Sequence, residues 1–194
     1  MRLGLDEIQL NILRLLNDKW YENHVAGLSF HDLVTQLGVD DTKVTYSIEI
    51  LVDNGLARRS TPSIQREANR YVITADGIDV HEETLPPSKL RQRRQERREI
   101  LEKLKIGYDK DPHQLLEPSD DNLNNYTLGV VTYLSQKGLV DLFPEVGLRY
   151  RIRLNARGAQ YLKDRIIDNA AVMSGAYEIL FRLENHLRQF IEKI

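Results

Sequence analysis

Arg149, Arg151 and Arg153 alternate with Tyr150, Ile152 and Leu154 in the stretch LRYRIRL. A strand repeats every second residue, so this spacing puts three guanidinium groups on one face and the apolar set on the other. Such a comb suits a phosphate backbone, because guanidinium forks match phosphate oxygens. It equally suits a solvated outer strand face, partly paired with Asp141 or Glu145. A second cluster, Arg58, Arg59, Arg66 and Arg70, flanks the polar loop TPSIQREAN at 61–69, which is long enough to reach a minor groove. A third lies in RQRRQERREILEKLK, where Arg91, Arg93, Arg94, Arg97 and Arg98 form helical rows and Arg98/Glu102 and Glu99/Lys103 can pair internally.

These clusters are hidden in the average. The 194-residue chain carries a formal net charge of -2, with 41% apolar and 29% charged residues. Residues 58–70 hold four Arg against one Glu, 88–105 hold eight Lys/Arg against three Glu, and 149–165 hold six Lys/Arg against one Asp. Acidic segments separate them, and residues 71–87 hold four acids and no Lys or Arg.

Other chemistries find no support. There are no cysteines, and His24, His31, His81, His113 and His186 show no metal-ligand spacing. No Gly-rich phosphate loop and no nucleophile elbow appears. Asp40-Asp41 and Asp120-Asp121 fall at expected helix starts, where they complement the helix dipole. The expectation is a non-enzyme with no catalytic residue, metal or cofactor. No apolar run reaches the roughly 20 residues of a membrane span, and the N-terminus lacks a signal layout. A cytoplasmic protein is expected, with association to a prokaryotic nucleoid as the alternative.

The elements that would carry these arginines are periodic. LDEIQLNILRLLN is an amphipathic helix. GLSFHDLVTQLGV offers Ser29 as N-cap and Gly38 as stop, and the next helix is capped by Asp40 or Asp41 and ends at Asn54-Gly55. Two short helices joined at Gly38-Val39 make a helix-turn-helix, and strands at 56–60 and 70–74 follow. The second half repeats this order. Leu51-x-x-x-Gly55-Leu56 matches Leu134-x-x-x-Gly138-Leu139, and Thr74-x-x-Gly77 matches Asn155-x-x-Gly158. A period this long predicts two related units. Pro86-Pro87 is expected to break the helix and extend the chain.

The order of helix, helix-turn-helix, hairpin and Thr/Asn-x-x-Gly helix start resembles the winged helix-turn-helix proteins of bacteria and archaea. The resemblance covers 5–85 and 95–165. In the second copy the first helix of the pair is interrupted by Pro112 and Pro118. It implies a mainly α fold with small β-hairpin wings (α+β), divided into winged helix domain 1 at 1–85, a linker at 86–94, domain 2 at 95–160 and a long C-terminal helix at 161–194. It implies DNA binding in transcription regulation, or in the targeting part of a larger protein. The wing arginines and the 91–98 run would hold phosphates. Base readout would fall to Thr42, Lys43, Thr45 and Tyr46 in the first copy and Asn124, Asn125 and Tyr126 in the second. Asp41 and Glu49 on the first reading helix argue the other way. Tandem winged helices also serve as protein adaptors, such as kleisin-binding partners of chromosome-condensing ATPases, which is the alternative reading.

The C-terminal stretch continues a 3-4 apolar spacing to Ile194. Met173, Leu180, Leu183, Leu187 and Phe190 are expected to form a homodimer seam. With no stop signal, the pattern also fits a longer protein. YEILFRLENHLRQFIEKI is similar to the opening helix of HEPN-type defence domains. The nuclease motif of those domains is absent, since Arg182 and His186 are only four apart, so no nuclease is implied.

Overall fold

The computed structural model describes residues 4–23, 26–60, 69–115, 125–144 and 150–164. Chain order is α1 (Glu7–Glu22), β1 (Leu28–Ser29), α2 (Phe30–Leu37), α3 (Asp41–Asp53), β2 (Ala57–Arg59), β3 (Arg70–Ile73), α4 (Ala75–Glu82), α5 (Pro87–Lys110), α6 (Asn125–Gln136), β4 (Val140–Pro144), β5 (Tyr150–Leu154), then helix over 156–164. The architecture is mainly helical with two small antiparallel sheets, ordered β1-β3-β2 and β4-β5.

Local chemistry sets the boundaries. Asp6 caps α1 in a reciprocal capping box with Gln9, and Ser29 does the same for α2 with Asp32. Gly38, at φ 63°, closes α2, and Asp40 rather than Asp41 caps α3, its carboxylate accepting from the Thr42 amide at 2.8 Å. β1 is absent from the sequence expectation because two residues carry no period. It pairs Leu28 with Tyr71 and Ser29 with Arg70.

The repeat holds bond by bond. At the end of α3 the Leu56 amide donates to Leu51 O at 2.8 Å and the Gly55 amide to Val52 O at 2.9 Å; at the end of α6 Leu139 donates to Leu134 O and Gly138 to Ser135 O, both at 2.9 Å. Both are the paired bonds that end a helix on a left-handed residue. Gly55 and Gly138 occupy that position at φ 71° and 67°. Each copy then returns from its hairpin to the same place. Thr74 N–H donates to Leu56 O and Asn155 N–H to Leu139 O, while Thr74 Oγ1 and Asn155 Oδ1 accept from the Gly77 and Gly158 amides.

Pro86-Pro87 does not open an extended linker over 86–94. Pro86 is extended, but Pro87 takes the first position of the 24-residue α5, which runs through the whole segment. The first helical amide needs no intrahelical partner, so proline fits there without loss. Residues 111–115 are non-helical, and the rest of the Pro118 segment lies outside the described residues.

The two halves share one apolar core. Trp20, Leu13 and Leu16 of α1 belong to the same buried cluster as Leu101 of α5, Val130 and Leu134 of α6, and Ile152 of β5. A Cβ on Gly129 would lie 3.1 Å from the Trp20 indole nitrogen, so α6 meets α1 at close range there. Among the described residues no helix is long and apolar enough to cross a membrane.

Candidate nucleic-acid interface

α3 presents the most open polar face of the first half. Val44, Ser47, Ile48 and Leu51 point inward. Thr42, Lys43 and Tyr46 are exposed and Thr45 is half-buried. Tyr46 is 68% exposed, which is unusual for an aromatic side chain of its size. Asp40 spends its charge on the helix start: the backbone and side-chain hydrogen bonds of Thr42 hold its carboxyl below the usual range. The acid expected to repel phosphate, Glu49, accepts from Arg59 on β2 in an ion pair. This removes one objection to an anionic ligand and fastens the hairpin to α3.

The same pair removes Arg59 from the set of free cations. Its side-chain hydrogen bond to Glu49 is the largest influence raising its pKa. Arg58, the preceding residue, is exposed and makes no ion pair among the described residues. Arg70 is exposed on the neighbouring strand, and one guanidinium nitrogen donates to Gly27 O at 3.0 Å. Arg58 pairs across the strands with Val72, two residues from Arg70, so both arginines belong to one face of the hairpin. Arg66 lies outside the described residues.

Burial corrects the expectation for Arg97. It is 8% exposed and forms a bidentate pair with Glu82 of α4, with contacts of 2.9 and 2.5 Å. Its guanidinium stacks 3.7 Å from the Tyr133 ring centroid, and Arg93 stacks 3.6 Å from Tyr21. Burial pushes the Glu82 carboxyl up, opposed chiefly by Arg97. For Arg97, burial works against the charge, but Glu82, Tyr21 and Tyr133 outweigh it and keep the guanidinium protonated. Neither Arg97 nor its neighbour Arg98, which binds Glu102 at 2.6 Å, is a free phosphate ligand. Arg91 and Arg94 remain exposed on α5.

A wider polar seam surrounds this pair and joins the halves. Tyr133 OH donates to Asp79 at 2.7 Å, and burial, the largest influence, raises its pKa. Lys137 binds Asp76 and Asp79, and the Gln136 side chain accepts the Ala75 amide at 2.8 Å, capping α4 from α6. Sequence reasoning named none of Tyr21, Asp79, Glu82, Tyr133 or Lys137 as partners. The available signal was the acid-only segment 71–87 directly before the basic run, since opposite blocks that close in sequence can neutralise each other.

The arginine comb of the second hairpin is partly engaged. Ile152 and Leu154 are buried and Arg151 and Arg153 are half-buried, as the alternation requires. Arg153 binds Asp141 at 2.7 Å and lies 5.2 Å from the Phe143 ring centroid, so it is a cross-strand structural pair rather than a free phosphate ligand. Its hydrogen bond is the first cause holding the Asp141 carboxyl below its usual range. Arg149 lies outside the described residues.

The middle of α6, which corresponds to α3 in the repeat, is enclosed. Gly129, Val130, Val131, Tyr133 and Leu134 of α6 are buried between α1, α4, α5 and β4. Among the described residues, Tyr46 of α3 is exposed where its counterpart in α6, Gly129, is buried. Asn124 lies outside the described residues, as do the side chains of Asn125 and Tyr126. The seam expected from Met173, Leu180, Leu183, Leu187 and Phe190 also lies outside them.

No protein-family model and no curated protein matches this chain. Among the described residues no group of three or more acidic or imidazole side chains is placed to hold a metal ion.

Proposed function

We propose that this chain binds duplex DNA through its first unit, as a winged helix-turn-helix protein in which α2–α3 is the helix-turn-helix and the β2–β3 hairpin is the wing. In this reading residues 1–85 form the reading domain and 95–160 a second, related domain that supports it. The observation that carries it is the open face of α3: Thr42, Lys43 and Tyr46 are exposed, Thr45 is half-buried, and the Glu49 charge is taken up by Arg59 of the adjoining hairpin. Hydroxyls and an ammonium at the start of such a helix suit base edges and phosphates, and the hairpin cation Arg58 suits the backbone. Phosphate contact by Arg149 and Arg151 of the second hairpin belongs to the same proposal. Homodimerisation through the C-terminal stretch, and a role in transcription regulation or in targeting a larger protein, belong to the same proposal.

The test is anisotropy with a random-sequence duplex at two salt concentrations. Binding is expected at low salt, with a log-log salt slope of about -0.9 per phosphate neutralised. The double substitution Lys43→Ala/Arg58→Ala is expected to flatten that slope by about two contacts. Absence of binding at low salt, or a double variant that binds like the parent, overturns the reading.

One observation favours a second reading, a protein-binding adaptor. Arg59, the hairpin cation that meets α3, is spent on Glu49, while Tyr46 of the same helix is 68% exposed. Aromatic anchors of this kind are common at protein interfaces. A stoichiometric protein complex that survives high salt and is lost in Tyr46→Ala selects it.

A further inference from the structure

A cleft of about 860 Å³ opens between α5 and the helix over 156–164, with α6 and α4 at its base. Its size falls within the range of small-ligand pockets, roughly 300–1,000 Å³. Leu90, Leu101, Leu134 and Tyr161 supply apolar walls. Most charges along it are already spent: Arg97 on Glu82, Arg98 on Glu102, Lys105 on Asp109 and Lys137 on Asp79.

Two cations are not. Arg94 and Arg157 line the cleft from opposite helices, are exposed, and make no ion pair or hydrogen bond among the described residues. A Cβ on Gly138 would stand 3.2 Å from the Arg157 guanidinium, so the glycine leaves that group room beside the end of α6. Of the two remaining acids, Asp164 accepts from the Gln160 amide at 2.5 Å and Glu83 stands at the C-terminal cap of α4. Two unengaged guanidinium groups thus line the same cleft as the leucine and tyrosine walls.

We propose that this cleft binds a small amphipathic carboxylate, its head held between Arg94 and Arg157 and its apolar body against Leu90, Leu101, Leu134 and Tyr161. A guanidinium takes a carboxylate through two parallel hydrogen bonds, which a neutral or cationic head cannot reproduce. No residue of α3 lines the cleft, so occupancy of this site stands apart from DNA binding.

Calorimetry on the full chain tests it with three probes that share one body: 4-phenylbutyrate, 4-phenylbutanol and 4-phenylbutylammonium. The carboxylate is expected to bind about tenfold tighter than the alcohol, and the ammonium not to bind, since a charge-assisted contact is worth about that factor. Arg94→Gln and Arg157→Gln, both at exposed positions, are each expected to weaken the carboxylate about tenfold with unchanged melting temperature. Arg91→Gln, on α5 but outside the cleft, is expected to change nothing. Equal binding of alcohol and carboxylate, variants that bind like the parent, or no binding of the carboxylate overturns the proposal.

Discussion

Replacing Arg97 by Ala is expected to destabilise the protein by roughly 3–5 kcal/mol, the cost of leaving one partner of a buried ion pair alone. Glu82 is 3% exposed and burial already pushes its carboxyl up; without Arg97 it must protonate or draw in water. The same substitution removes the group stacked on Tyr133, whose hydroxyl binds Asp79. Arg97→Lys is expected to recover only part of the loss, since a compact ammonium gives neither the bidentate fork nor the planar stack. The apolar pair Arg97→Met/Glu82→Leu is expected to be far closer to the parent than either single variant, because nothing charged is then left buried. Urea melts of the three variants beside the parent measure this. If Arg97→Ala melts with the parent, the pair does not hold the halves together.

Gly77→Ala and Gly158→Ala form the second large effect. A Cβ at Gly77 would stand 2.0 Å from Leu56 O, and one at Gly158 would stand 2.1 Å from Leu139 O. Both obstacles are backbone carbonyls that accept the hydrogen bond of the returning chain, so neither can rotate away. Each substitution is expected to cost about 3 kcal/mol, the upper end for overpacking. Gly55→Ala is the informative comparison. It meets no atom within 4 Å and suffers only its positive φ, for about 1–2 kcal/mol. Thermal melts that rank Gly55→Ala as the worst of the three would contradict the close approach. Similar losses at Gly77 and Gly158 would show the two units using the same joint.

Much of the local organisation was legible because its causes are local. Ser29, Gly38 and Thr74 act on amides within four residues, and the helix ends at Gly55 and Gly138 need only a left-handed residue followed by leucine. The pairing of Leu51–Gly55–Thr74–Gly77 with Leu134–Gly138–Asn155–Gly158 follows from these fixed offsets. Pro86-Pro87 misled because proline stops a helix from behind and starts one from the front. The dipeptide alone does not say which, and here α5 begins at Pro87.

Charge was legible as amount and not as destination. The sequence by itself determined three basic segments, the alternation of the second hairpin and the open polar positions of α3, since these depend on composition and period. The tertiary structure alone decided which cations remain available. Arg97 meets Glu82 15 residues away and Tyr21 76 away, Tyr133 reaches Asp79 across 54, and Lys137 reaches Asp76 across 61. No spacing rule extends over such distances, because the partner is set by which helix faces pack. That packing buries the middle of α6 between the halves, leaves α3 open, and turns the most basic run of the chain into one wall of a seam and of a cleft.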